Sequence, residues 1–328
     1  MSLTINHQLN DIINATGTIT INGVAAGGDN TPIAWYGSRG LFGGGRLASG
    51  LSNVIDYITI ASTGNATDFG DLSAARKNNI GAMSNGSRGV FGGGNESGGD
   101  VNTIEYVTIS TTGNTTDFGD LTAARDKISG SGDGSRGLFA GGNDSTTIDY
   151  ITIASTGNAT DFGDLISGGV SPTNSLASNN DATRAVFSGG YNAGIQPQNV
   201  IQYVTVQTTG NATDFGDLTS ARTTCAGAGS ETRGLIAGGW DAAFSNPINN
   251  IEYITIQSTG NSTDFGDLTA ATAGIMGTSN ITRAVFGGGY VSSRTNVISY
   301  VTIANTGNST DFGDLTASRN DGGACSGT

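Results

Sequence analysis

Asp-Phe-Gly, the triplet that holds a catalytic magnesium ion in protein kinases, occurs six times here, at Asp68, Asp117, Asp161, Asp214, Asp264 and Asp311. A phosphoryl-transfer site needs one such triplet, with a phosphate-binding lysine and a catalytic loop. Six copies beside only two lysines, Lys77 and Lys127, do not make that site. Gly132-Asp133-Gly134-Ser135-Arg136-Gly137 spells a dinucleotide fingerprint. That motif must follow a strand and open a helix, whereas here it turns between two strands. His7 is the only histidine and lies outside the repeated part of the chain, so no Cys–His or Ser–His pairing is available there. Cys225 and Cys325, the only cysteines, give no disulfide framework and read as small apolar strand residues.

A second group of residues suits binding better than catalysis. A Gly-Gly pair recurs six times, and the residue after it is in turn Arg46, Asn95, Asn143, Tyr191, Trp240 and Tyr290. The three aromatics fall in consecutive repeats. Phe244 joins them from the longest loop, with Asp241 as an adjacent polar group. Exposed rings with nearby polar groups suit a sugar or a protein surface. The competing reading is that these rings only cover sheet edges.

The elements that would position these residues follow from the repeat. Asp-Phe-Gly-Asp-Leu recurs six times, and so does Arg, two small or apolar residues, Phe or Ile, a small residue and Gly-Gly, starting at Arg39, Arg88, Arg136, Arg184, Arg233 and Arg283. The spacings are 49, 48, 48, 49 and 50 residues, a period that belongs to four-stranded propeller blades. In the second unit, Arg76 to Met83 reads as a small-residue inner strand and Arg88 to Phe91 as an apolar strand. Thr103 to Ile109 alternates as a third strand, Gly113-Asn114 is a hairpin turn, and Thr116 to Leu121 is the outer strand. No segment has a convincing helical period. Arg319 to Thr328 matches Arg76 to Asn85 with nothing after it, which predicts that the C-terminal strand becomes the inner strand of the blade holding residues 38–73. The expected fold is all-β: a six-bladed β-propeller over 38–328, closed by the C-terminal strand, with a short N-terminal β extension over 1–37. In that extension Thr18 to Asn22 alternates but belongs to no blade, and Trp35 and Tyr36 are placed to anchor it.

Residues present in every blade are scaffold first. Six Tyr of the third strands, six Phe of Asp-Phe-Gly-Asp-Leu and five Phe before Gly-Gly are 17 of the 23 aromatics and should pack between blades. Twelve Asp and ten Arg share the repeat frame, which suggests Asp–Arg pairs between strands or blades, with calcium between carboxylates as the alternative. That pairing would leave most of the net charge of −13 on the variable parts. Asn-X-Thr recurs at Asn65, Asn114, Asn158, Asn211, Asn261 and Asn308, and is explained by the turn rather than by glycosylation.

Other classes are disfavoured. A chain this acidic is no nucleic-acid binder, since phosphate contacts need clustered Lys and Arg. No apolar run is long enough to insert in a membrane, and the first residues lack the basic start and apolar stretch of a secretory signal.

The order of Arg, apolar strand, Gly-Gly, Tyr-containing strand and fourth strand resembles kelch repeats, with Phe where kelch repeats typically carry Trp in the fourth strand. The unit Thr-Gly-Asn-X-Thr-Asp-Phe-Gly-Asp-Leu is similar to kelch-type repeats of marine bacteriophage structural proteins. The opening, Leu3 to His7 through Asn10-Asp11-Ile12 to Gly17–Gly23, resembles N-terminal segments of bacteriophage tail-fibre and other virion proteins. Propeller enzymes of the galactose oxidase kind need His- and Tyr-rich copper ligands that are missing here. Sialidase-type sites need an arginine cluster, and the recurrent arginines here read as structural. Carboxylate-pair hydrolysis is the enzyme class left open. The resemblance implies a non-enzymatic virion protein without a cofactor, made in the host cytoplasm. Residues 1–37 would dock it to other virion proteins, and the propeller loops would bind a host-surface glycan or protein. A purely architectural virion subunit and a cellular kelch interaction module are the other two readings.

Overall fold

The computed structural model describes residues 20–21, 24–25, 36–166, 173–192, 194 and 196–328. The chain divides into two compact units, Met1–Ile33 and Ala34–Thr328. In the first, Thr20–Ile21, within the strand read at Thr18–Asn22, pairs antiparallel with Val24–Ala25. The rest of that segment, Trp35 included, lies outside the described residues.

The second unit is a six-bladed β-propeller, and no helix occurs among the described residues. Every blade is built on four antiparallel strands, to which blade I adds the two-residue strand Arg46–Leu47. From axis to rim, blade I is Gly323–Gly327, Arg39–Gly43, Gly50–Thr59 and Thr67–Arg76. Blade II is Gly81–Ser84, Arg88–Gly92, Thr103–Thr108 and Thr116–Asp120; blade III is Ser129–Gly132, Arg136–Ala140, Thr147–Thr152 and Thr160–Asp164. Blade IV is Ala177–Asn180, Arg184–Ser188, Val200–Thr205 and Thr213–Asp217; blade V is Ala226–Gly229, Arg233–Ala237, Asn250–Thr255 and Thr263–Asp267. Blade VI is Met276–Ser279, Arg283–Gly287, Val297–Thr302 and Thr310–Asp314. The C-terminal strand closes the ring as its match to the other inner strands required, with Leu41 opposite Cys325. The inner strands start later than the sequence suggested, at Gly81 rather than Arg76. Arg76 ends the outer strand of blade I, and a connecting loop follows it.

Apolar side chains collect between blades. Phe69 and Leu72 of blade I pack with Ile80, Phe91, Val107 and Ile109 of blade II, and five equivalent clusters complete the ring. Within each blade the third-strand Tyr meets the outer-strand Phe edge-on, at 5.8–6.2 Å between ring centres. Cys225 and Cys325 are buried, and burial pushes their thiols up to about 11 and about 12, so both stay protonated.

The outer edge of each blade is covered by the next blade. Gly113 and Thr115 of blade II donate backbone N–H bonds to Phe69 and Asp71 of blade I, and the Asn114 side-chain oxygen accepts from Asp71 N–H at 3.0 Å. The same three bonds recur at every joint, ending with Gly64, Ala66 and Asn65 against Phe312 and Asp314. The repeated Asn therefore does more than form a turn: it ties two blades together. Gly70 sits at φ +146°, and a Cβ on it would lie 2.4 Å from the Gly113 oxygen, which explains the Gly in every Asp-Phe-Gly-Asp-Leu.

The expected Asp–Arg pairing is corrected. The second-strand arginines make no ion pair with these Asp residues. Arg39 lies 4.6 Å over the Tyr57 ring and donates to the Ile109 carbonyl of the next blade, and its five counterparts do likewise. The joint arginines do pair with carboxylates, but with the residue just before the third-strand Tyr. These buried pairs are Arg76–Glu105, Arg125–Asp149 (2.6 Å), Arg222–Glu252 and Arg319–Asp56 (3.1 Å). At the other two joints both partners change together: Thr173 with Gln202, and Thr272 with Ser299. Desolvating a lone ion is costly, so a buried pair is kept whole or lost whole. The first Asp of every Asp-Phe-Gly-Asp-Leu is exposed, so much of the negative charge lies on the blade rims and not mainly on the variable loops.

This arrangement fixes a test. Arg222→Thr alone strands the buried Glu252 carboxylate and should cost about 3–5 kcal/mol of unfolding free energy. Adding Glu252→Ser, which copies the Thr272/Ser299 joint, should recover more than half of that in urea denaturation. Additive losses in the double variant would show that the two residues do not act as a pair.

Candidate functional site

Strand alternation sends every loop after Gly-Gly to one face of the disk. The loops feeding the inner strands emerge on the same face. The two sets pair: Arg46 bridges to Asn320, Asn95 to Lys77, Tyr191 to Asn174, Trp240 to Thr223 and Tyr290 to Ala273. In blade III, Asn143 reaches Asp126 N–H through its side-chain oxygen, at 3.5 Å. Both glycines of each Gly-Gly pair have positive φ, +63° and +108° at Gly238 and Gly239, which bends the chain out of the strand before the candidate residue.

Around the axis on this face, each feeding loop passes through a left-handed residue at the same place, and the loop into blade II adds a second, Asn78. The shared ones are Asn79, Lys127, Ser175, Thr224, Gly274 and Asp321, with φ between 52° and 62°. Their backbones form a closed circle. Lys127 N–H donates to Asn78, Ser175 to Lys127, Thr224 to Ser175, Gly274 to Thr224, Asp321 to Gly274 and Asn79 to Asp321, at 2.6–3.1 Å. Sequence reasoning missed this circle, because no shared residue type marks a left-handed position. Below it, Ala82, Gly130, Ser178, Gly227, Gly277 and Ala324 line the narrow axial channel. Tyr36 lines the opposite mouth, its hydroxyl donating to the Asn180 carbonyl at 3.3 Å.

The four aromatic candidates come together in two pairs. Tyr191 of blade IV meets Phe244 of blade V edge-on at 5.4 Å, and Trp240 of blade V meets Tyr290 of blade VI at 5.7 Å with planes tilted by 36°. Phe244 is exposed, while the other three rings are half-buried and present one side to solvent. Phe244 holds its place with φ +53°. Lys127 stands near the Tyr191 hydroxyl, and burial pushes that hydroxyl above its ordinary range, so it keeps its proton.

Asp241 is less free than the sequence suggested. Its carboxylate accepts from Ser245 N–H at 2.8 Å, Ala243 N–H at 3.2 Å and the Asn246 amide at 3.3 Å. Those bonds, Ser245 first, hold its carboxyl below the usual range. It shapes the loop that carries Phe244, and fewer lone pairs face a ligand. Asn95 and Asn143 both donate to Asp100, at 2.6 and 2.7 Å, which joins blades II and III on this face. Arg46 is exposed and bridges to Asn320, whose side-chain oxygen accepts from Arg294, the residue bridged to Tyr290. Arg46, Lys77, Lys127 and Arg294, the four cations outside the repeat frame, all belong to loops of this face. Among the described residues no three His, Cys, Asp or Glu side chains converge as a metal site requires.

No known protein-family model matches the chain, and no curated protein matches it.

Asp321 gives the face a pH signature. Burial raises its carboxyl to about 6, against the opposing pull of Arg46, Arg294 and Lys77. An acid whose folded pKa exceeds its unfolded value favours the folded state while protonated, so stability falls as pH rises from about 4 to about 6. Asp321→Asn, which tolerates the left-handed backbone, should raise the melting temperature at pH 7 and lose that advantage near pH 4. An unchanged difference across this range would rule out the buried carboxyl as its source.

Proposed function

We propose that this chain is a non-enzymatic virion-surface protein of a bacteriophage whose propeller binds a host-surface glycan through its loop face. The observation that carries the binding reading is the pair of ring contacts, Tyr191–Phe244 and Trp240–Tyr290, spanning three consecutive blades. Seventeen of the 23 aromatics are repeated scaffold residues; these four are not, and they vary where the blades vary. Aromatic faces stack on the C–H faces of pyranose rings, while the polar groups of neighbouring loops accept and donate to sugar hydroxyls. Rings held by a rigid scaffold lose little freedom on binding, which favours affinity.

The virion reading rests on the kelch-like repeat unit and on the tail-fibre-like opening segment. In it, residues 1–37 dock the protein to other virion proteins and leave the propeller displayed. A chain lacking residues 1–37 should still fold as a propeller, yet fail to enter particles assembled in its presence. Normal incorporation of the truncated chain would remove this role.

A glycan array probed with the full chain tests the binding reading. Trp240→Ala should weaken the glycan it identifies roughly thirtyfold, equivalent to about 2 kcal/mol, with stability nearly unchanged. Phe215→Ala, at a buried scaffold position, should instead cost about 3–5 kcal/mol of stability. Equal destabilisation by the two variants would make Trp240 a core residue, and an array without any binder would leave the protein an architectural subunit.

A further inference from the structure

The joint between blades V and VI lacks the ion pair found at four others, and a cavity of about 240 Å³ lies there. Thr272 stands where Arg76, Arg125, Arg222 and Arg319 stand elsewhere, and Ser299 replaces the partner carboxylate; both line the cavity. Leu268, Ile275, Val291 and Val297 supply the aliphatic walls, and Thr295, whose hydroxyl accepts from Val297 N–H, adds a polar one. Val297 is 39% exposed and marks the open side. A volume many times that of one water admits a small organic group, but it falls below the size of a typical ligand pocket.

The sister joints show which hydrogen-bonding groups this vacancy leaves behind. Arg125 donates to the carbonyls of Gly141 and Thr147 at 2.8 and 2.9 Å; their counterparts here are Gly288 and Val297, both at the cavity. Asp149 accepts from Thr122 N–H and Oγ1; the counterpart here is Thr269, also at the cavity. Thr115 and Ser262 donate their hydroxyls to Glu105 and Glu252; the counterpart Ser309 is buried, 8% exposed, and its hydroxyl has no partner. The slot therefore offers two carbonyl acceptors, Thr269 as a donor and aliphatic walls, while the orphaned Ser309 hydroxyl marks the lost carboxylate without lining the cavity. The slot holds no carboxylate, so a cation would be desolvated without compensation. A neutral amide satisfies both sets. Blade IV supplies a precedent within the fold, since the Gln202 amide oxygen takes the carboxylate's place and accepts from Ile166 N–H at 2.7 Å.

The slot also adjoins the ring platform. Val291 follows Tyr290 directly, and Gly239, which precedes Trp240, donates its N–H to the Thr272 carbonyl. We propose that the slot between blades V and VI takes the acetamido group of an N-acetylated amino sugar whose pyranose ring rests on the Trp240–Tyr290 pair, an inference that rests on the glycan-binding reading above. The acetamido oxygen accepts from Thr269, its N–H donates to the Gly288 or Val297 carbonyl, and its methyl lies against Ile275 and Val291.

The experiment titrates the full chain with the methyl β-glycosides of glucose and of N-acetylglucosamine by ligand-observed NMR. The N-acetylated sugar should bind about tenfold more tightly, a difference of about 1.4 kcal/mol. Thr272→Arg with Ser299→Glu installs the pair that four sister joints carry. It should fold normally by thermal melt and abolish the tenfold preference while leaving the glucoside affinity unchanged. Equal affinities for both sugars in the natural chain would overturn the slot proposal and leave the platform standing. Binding of neither sugar would overturn both. A preference that survives in the double variant would place the acetamido group elsewhere and overturn the slot alone.

Discussion

The structure depends on how the outer edge of one blade is met by the hairpin of the next. A four-stranded sheet leaves a row of backbone N–H and C=O groups open at its last strand. Here the Gly-Asn hairpin of the following blade satisfies that edge with two backbone bonds and one side-chain bond, six times over. A ring tolerates no accumulated error, so all six joints must have nearly the same geometry. The backbones approach closely enough that only Gly fits at the third residue of Asp-Phe-Gly-Asp-Leu. The uniformity of Thr-Gly-Asn-X-Thr-Asp-Phe-Gly-Asp-Leu is thus a closure requirement, and it removes those residues from the search for a site. The six arginine–tyrosine stacks that reach the next blade repeat for the same reason.

The fold could be read from the sequence because this constraint is written in short, exact strings. Counting six Gly-Gly strands against five complete inner strands was enough to place the C-terminal segment beside Leu41 and Phe42, where it pairs. The partners of the arginines were not found, because matching twelve Asp to ten Arg compares totals rather than positions. The useful signal was present one residue before each repeated Tyr: Asp56, Glu105, Asp149, Gln202, Glu252 and Ser299 follow the column Arg319, Arg76, Arg125, Thr173, Arg222 and Thr272. Charge disappears from both columns in the same two blades, as expected when a buried ion cannot be left alone.

The candidate site was legible to a lesser degree. Adjacent repeats become adjacent blades, so Tyr191, Trp240, Phe244 and Tyr290 had to share an arc, and they do. Which ring meets which depends on the Phe244 backbone turning through a left-handed conformation, which a Phe does not announce. The bonds that occupy Asp241 arise inside its own loop, where short Ser and Asn side chains and free N–H groups compete for a carboxylate. The axial circle was hidden for a related reason. Asn79, Lys127, Ser175, Thr224, Gly274 and Asp321 share a backbone angle and no chemistry.

Closure at the rim and at the axis leaves the loops after Gly-Gly with rigid bases and variable tips. Each is bridged to the strand-feeding loop beside it or, in blade III, held by a side-chain bond. Such bases let the sequence of a tip change while the hairpin bonds that close the ring, which lie outside it, stay in place. The joints themselves have one degree of freedom, the buried ion pair, because a neutral pair fits the same backbone. Blade VI uses that freedom beside the Trp240–Tyr290 platform. Replacing a long arginine and a carboxylate by Thr and Ser removes volume from the interior of the joint without altering its hydrogen-bonded edge. Space and unpaired polar groups therefore collect under the variable loops of blades V and VI rather than under the ring-closing hairpins. A scaffold of identical joints can acquire a recess in this way while the ring stays closed.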